Sequence, residues 1–176
     1  AVVFPPRDKR LNGQRDSKIL SARQRERLAR MVRERALALA LGAASPREID
    51  RYNIRVASAI AMRRAVQRLD FRLRRAGVTA RLHVVIDGLP LAELGMPHEA
   101  LVDGDALCAS VAAAAIIAKT VRDDLMCRLA RRYPGFGWET NAGYATEFHC
   151  RAIDALGPTR HHRRSFEPIA QLKLGV

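Results

Sequence analysis

The chain has 176 residues, 48% of them hydrophobic, with 31 Lys or Arg against 18 Asp or Glu, for a net charge of +13. That length fits one domain, residues 1–176, with room for a core, and the hydrophobic fraction argues against a disordered chain. The charge favours a polyanionic partner, most simply nucleic acid, the more so because the first 35 residues hold eleven Lys or Arg against four Asp or Glu and a second basic group lies at 160–164.

Cys108, Cys127 and Cys150 are far apart and form no CxxC pair. Neither a zinc site nor a disulfide framework is expected, and reduced thiols fit a cytoplasmic protein. No apolar run reaches about 18 residues, so no membrane span is expected. The N-terminus lacks the charged-then-apolar order of a signal peptide.

In chain order, residues 1–4 read as a strand stopped by Pro5-Pro6, and 7–21 as a basic loop. Ser21 is suited to cap a helix over 22–37, with Leu28, Met31 and Val32 as its apolar stripe. Residues 38–44 read as a short strand. Ser45-Pro46-Arg47-Glu48 is a capping box that opens a helix running to about Leu69. Residues 82–87 form an apolar strand and 99–102 a short one. The stretch 106–132 is the longest predicted helix, and its Ala112–Ala115 run would allow close approach to a sheet. Residues 134–137 end it, and a further helix over 145–156 stops at Gly157-Pro158. The order β–α–β–α–β–β–α–α predicts an α/β fold, a mixed sheet flanked by helices.

The strand Leu82–Asp87 ends in an acid, followed by Gly88 at the turn. An acid at that edge of an α/β sheet sits where such folds place their chemistry, and a carboxylate there calls for a pairing partner or a cation. Asp123, on the long helix after Lys119 and Arg122, is a second candidate. Asp124 is its alternative, because adjacent helical residues are rotated by about 100°. Asp103 and Asp105, flanking Gly104, read equally well as turn residues. Tyr144, before a helix that Thr146 can cap, is either core or a stacking face for a sugar or base. His149, His161 and His162 lack a paired acid at ligand spacing and read as helix-surface or phosphate-contacting residues.

Taken together, these residues resemble the ribonuclease HII (type 2 ribonuclease H) family nearly end to end. The matching segments are Asp16-Ser17-Lys18, Ile49-Asp50 with Asn53-Ile54, Ala61–Val66, Asp87-Gly88 and Gly104-Asp105. They continue with Ala118-Lys119, Arg122-Asp123, Met126, Tyr133–Gly137, Gly143-Tyr144 with Thr146 and His149, and His162–Phe166.

The resemblance implies a ribonuclease H-like fold, with about 134–176 as a helical C-terminal part. It implies an endonuclease that cleaves RNA in RNA–DNA hybrids and at ribonucleotides embedded in DNA; separately, a monomer is expected. It implies Mg²⁺ or Mn²⁺ held by four carboxylates, of which Asp87 and Asp123 match the third and fourth, choosing Asp123 over Asp124. Lys18, Lys119 and Arg163 would contact phosphates, and Tyr144 would pack on the sugar beside the scissile junction. The family's first strand, with its Asp-Glu pair, has no counterpart in this sequence. An alternative expectation is therefore a catalytically inactive relative that binds nucleic acid or serves in assembly. Ile19, Asp103 and Ala142 stand where the family commonly has Lys, Ala115 where it has Ser, and Asn141 where it has His.

Overall fold

A computed structural model describes residues 1–5, 20–79 and 81–172 of the chain, the side chains of 171 and 172 apart. It divides into two units, one comprising Ala1–Ala43 and Ser58–Thr120, the other Ala44–Ala57 and Val121–Val176. The elements are β1 (Val2–Val3), α1 (Ala22–Arg35), β2 (Ala38–Leu39), α2 (Pro46–Arg75), β3 (Val85–Asp87), β4 (Glu99–Leu101), α3 (Gly104–Leu107), α4 (Ala109–Arg132), α5 (Trp138–Asn141), α6 (Glu147–Leu156) and α7 (Ile169–Leu172).

Helix starts follow their local chemistry. Ser21 accepts a hydrogen bond from the Gln24 amide while the Gln24 side chain accepts from the Ser21 amide. Ser45 and Glu48 make the reciprocal pair at α2, at 3.3 and 2.8 Å, and Thr146 caps α6 through the His149 amide. Each cap supplies an acceptor to amides that have no partner within the helix.

Strands are shorter than the sequence predicts. The strand expected over 38–44 is confined to Ala38–Leu39 and the one over 82–87 to Val85–Asp87. Among the described residues β1 pairs antiparallel with β2, and β3 pairs parallel with β4 in the register Val85–Glu99, Ile86–Ala100, Asp87–Leu101. Helix α2 continues past Leu69 to Arg75 and is interrupted at Asn53, where φ is 67°. Asparagine tolerates positive φ better than most residues, and its Oδ1 accepts from the Val56 amide to restart the helix. Because of that break α4, with 24 residues, is the longest uninterrupted helix among the described residues, as expected, although Cys108 separates the short α3 from it where one helix over 106–132 was expected.

In the first unit, β2 gives way to an extended segment whose carbonyls are met by arginines. Arg64 donates to the Ala43 carbonyl at 2.7 Å, Arg68 to Leu41 at 2.8 Å, and Arg72 to Leu39. The match is geometric. Four helical residues advance about 6 Å and two extended residues about 6.6 Å, so every fourth position on α2 meets every second carbonyl. The close approach depends on small residues. A Cβ at Gly42 would lie 1.9 Å from the Ala61 carbonyl oxygen and 2.7 Å from the Ala65 nitrogen. Ala40, Leu69 and Leu73 form a buried cluster with Val3, Ala38, Val78 and Leu82 packed on it. Arg63 fastens the turn before β4, donating to the carbonyls of Leu94 and Glu93 at 2.7 and 2.5 Å.

The second unit is built on an aromatic cluster: Met126, Phe136, Trp138, Ala152, Ile153 and Ile169 are buried together. His149 and His162 are part of that interior rather than of the surface. Their rings stack at 5.3 Å with 16° between planes, against Phe136 and Trp138. The reading of these two histidines as surface or phosphate-contacting groups is thereby corrected, because their ring faces are apolar enough to fill an aromatic core. The rings are fixed at Nδ1: His149 Nδ1 lies 2.9 Å from the Phe136 carbonyl, and His162 Nδ1 accepts from the Thr159 amide at 2.9 Å.

Two outcomes follow. Gly42→Ala should lower stability by at least about 1–3 kcal/mol, the range for overpacking a tight contact, read as a lower denaturant midpoint; an unchanged midpoint would show that α2 can move aside. Burial, reinforced by the His149 ring, pushes the His162 pKa down to about 4 from 6.5. The unfolded chain then binds the proton that the folded chain refuses, so this contribution is complete above about pH 6.5 and is lost as pH falls toward 4. Unfolding midpoints at pH 7 and 4.5 should differ less in His162→Phe than in the parent, and an equal difference would refute the assignment.

Candidate active site and nucleic-acid interface

Asp87 ends β3 and its side chain is exposed. The Gly88 amide donates to the Leu101 carbonyl at 2.8 Å, and the Asp87 carboxylate accepts from the Gly104 amide at 2.8 Å through Oδ1. The small residue at Gly104 leaves this second bond room. A Cβ at Gly104 would stand 3.3 Å from Asp87 Cα and from Leu101 Cβ, and 3.4 Å from Oδ1. The strand therefore delivers the carboxylate to its end, and the loop after β4 holds one of its oxygens in a fixed direction. Asp103, with φ 55°, makes the sharp turn that brings the Gly104 amide there.

Lys119 and Asp123 lie one turn apart on α4, both half-buried; Lys119 belongs to the first unit and Asp123 to the second. Asp124 is exposed and forms an ion pair with Arg128 at 2.7 Å. A pair of that kind on a solvated helix face contributes little, and it gives Asp124 an ordinary surface role.

Within the second unit, Arg122 donates to the Ala142 carbonyl at 3.1 Å, next to Tyr144, which is 65% exposed. The loop carrying Tyr144 is braced by Asn141, buried, which donates to the Phe136 carbonyl and accepts from the Gly143 amide, both at 2.8 Å. Asn141 thus has a structural task at the position where the sequence departs from the family's histidine. Arg163 places its guanidinium 4.1 Å over the Phe166 ring. Its pKa is lowered by burial first and by the charge of Arg122, against the opposing influence of Tyr144 and Asp50. These four groups share one electrostatic neighbourhood. Lys18 lies outside the described residues.

Sequence reasoning gave no role to Gly104, Arg122 or Asp50. The only sequence signals for them were their places in the family's motifs; a contact such as that of Asp50 with Ser165, 115 residues away, leaves no local trace. At least six of the 31 basic residues are internally engaged. Arg25, Arg63, Arg64, Arg68, Arg72 and Arg122 all donate to backbone carbonyls.

A hard divalent cation takes six or more oxygen ligands, more than either Asp87 or Asp123 alone could offer. Among the described residues no group of three or more His, Cys, Asp or Glu is arranged to hold a metal ion. Among them, too, no helix is long and apolar enough to cross a membrane.

A family model described as Ribonuclease HII matches residues 1–169. The chain is similar to ribonuclease HII of Synechococcus sp. (strain JA-3-3Ab), at 46% identity over 99% of this chain and 76% of the relative. It is similar to ribonuclease HII of Paramagnetospirillum magneticum (strain ATCC 700264 / AMB-1), at 47% identity over 90% of this chain and 75% of the relative. The fold is similar to that in the crystal structure of ribonuclease H2 from Pyrococcus horikoshii OT3, with a TM-score of 0.67 and 22% identity over 94% of this chain and 83% of that one.

Proposed function

Because the chain belongs to the ribonuclease HII family, we propose that it hydrolyses the RNA strand of RNA–DNA hybrids and cuts at ribonucleotides embedded in DNA, with Asp87 and Asp123 as its catalytic carboxylates. The observation that carries the assignment of Asp87 is its geometry: an exposed carboxylate at a strand end, oriented by the Gly104 amide. A carboxylate fixed in advance does not have to be ordered during the reaction, and that preorganisation is a large part of what active sites contribute. Asp123 is supported by its half-buried place on α4, beside the exposed and ion-paired Asp124.

Mg²⁺ or Mn²⁺ is the proposed cofactor, the metal that in such sites supplies charge stabilisation for phosphodiester hydrolysis. The chain's own residues bind and orient. Arg163, stacked on Phe166, and Lys119 would meet phosphate oxygens; Lys18 would join them. Tyr144 would pack its ring on the sugar, where the 2′-OH marks a ribonucleotide. The family membership favours this hydrolase over a non-cutting relative that only binds or assembles.

Asp87→Asn should reduce cleavage of a labelled hybrid duplex in Mn²⁺ by about 10²–10⁴-fold, the span for groups that act on the reacting atoms, and Asp123→Asn should do the same. Cleavage within about twofold of the parent in either variant would remove that residue from the proposal. Duplex binding should weaken by about 50–150-fold between roughly 50 and 200 mM salt if three or four phosphates are neutralised. A flat salt response would contradict the phosphate contacts while leaving the carboxylates untested by that measurement and still judged by the first.

A further inference from the structure

Arg163 lies between two anchored neighbours. On one side His162 is buried in the aromatic cluster, its Nδ1 accepting from the Thr159 amide and its own amide donating to the Thr159 carbonyl at 3.2 Å. On the other side the chain is held by a residue more than a hundred positions earlier. The Asp50 carboxylate accepts from the Arg164 amide at 3.0 Å through Oδ2, and from the Ser165 amide at 2.8 Å and the Ser165 hydroxyl at 2.7 Å through Oδ1. Both carboxylate oxygens are thus used on two successive residues. A carboxylate receiving several donors is a strong, directional anchor.

The turn so held continues into Phe166, whose amide donates to the Arg163 carbonyl at 3.4 Å and whose ring lies under the Arg163 guanidinium. Arg163 shares its surroundings with Arg122 and Tyr144. Two like charges held near each other oppose close approach unless something fixes them or an anion lies between. Asp50 meets the backbone of this turn, and its negative charge offsets part of that repulsion.

We propose that Asp50 is a positioning residue: by fastening the backbone of Arg164 and Ser165 it fixes Arg163 in the orientation that takes a nucleic-acid phosphate beside Tyr144. This rests on the reading of Arg163 as a phosphate contact given above. Asp50 itself touches no substrate; it removes the need to order a long, flexible side chain and its loop when the duplex binds.

The test compares Asp50→Asn, Arg163→Ala, Ser165→Ala and the Asp50→Asn/Arg163→Ala pair in the full chain, using a hybrid duplex. Asparagine keeps the volume of Asp50 but turns an amide donor toward donors. Arg163→Ala should weaken binding about tenfold and lower the salt slope by about one. Asp50→Asn should reproduce both effects, raise KM with less than about twofold change in kcat, and add nothing further in the double variant. Ser165→Ala, which removes only the hydroxyl contact, should give a smaller shift in the same direction.

A folded Asp50→Asn that binds like the parent, with Arg163→Ala impaired, overturns the positioning role and leaves the phosphate contact standing. Additive losses in the double variant overturn it as well. Arg163→Ala binding like the parent refutes the contact, and the inference with it. Should Asp50→Asn fail to fold, parent-like binding and salt slope in Ser165→Ala would overturn the proposal.

Discussion

Backbone carbonyls and amides that no strand partner satisfies are the constraint on which the rest of this structure depends. The described strands are only two or three residues long, so their ladders meet few of the polar groups that the connecting segments expose. Side chains meet others. Arginines of α2 bond to the carbonyls of Leu39, Leu41, Ala43, Glu93 and Leu94, and Asp87, Asn141, His149 and Asp50 bond to loop amides or carbonyls. Where such a group is buried, as at the Phe136 carbonyl met by Asn141 and His149, leaving it unpaired costs about as much as a lost hydrogen bond, and at exposed sites the same bonds fix the path of the loop. These side chains are therefore part of the scaffold.

The same bonds position the residues proposed to act. The Gly104 amide that Asp87 satisfies also orients Asp87. The loop bearing Tyr144 is braced by Asn141 and by the Arg122 bond to Ala142. The turn bearing Arg163 is held by Asp50 and by the burial of His162. Satisfaction of the loop and placement of the functional group are one set of contacts, which is an economical way for loops to carry a site with defined geometry.

This also revises what the net charge of +13 means. Total charge sets the long-range attraction for a polyanion. Arginines whose guanidinium donors are directed at carbonyls still contribute to that field, but they have fewer donors for a phosphate. Short-range contact is proposed above to fall to a smaller group of residues that includes Arg163. Composition thus pointed to nucleic acid, while the structure gives at least six of the 31 basic residues a second task inside the fold.

The sequence by itself determined the features whose causes are local. The caps at Ser21, Ser45 and Thr146 were legible because a helix start and its acceptor lie within three residues. The acid ending an apolar strand at Asp87 was legible from a single run, and the ordered motifs carried the family. Only the tertiary structure decided that His149 and His162 are stacked core residues, that α2 breaks at Asn53, that Asp87 leans on Gly104, and that Asp50 holds the turn after Arg163. In most of these cases the deciding partner is brought near by packing. A pattern of three or four residues records what the chain does to its own neighbours, and it holds no record of which distant amide a carboxylate will meet.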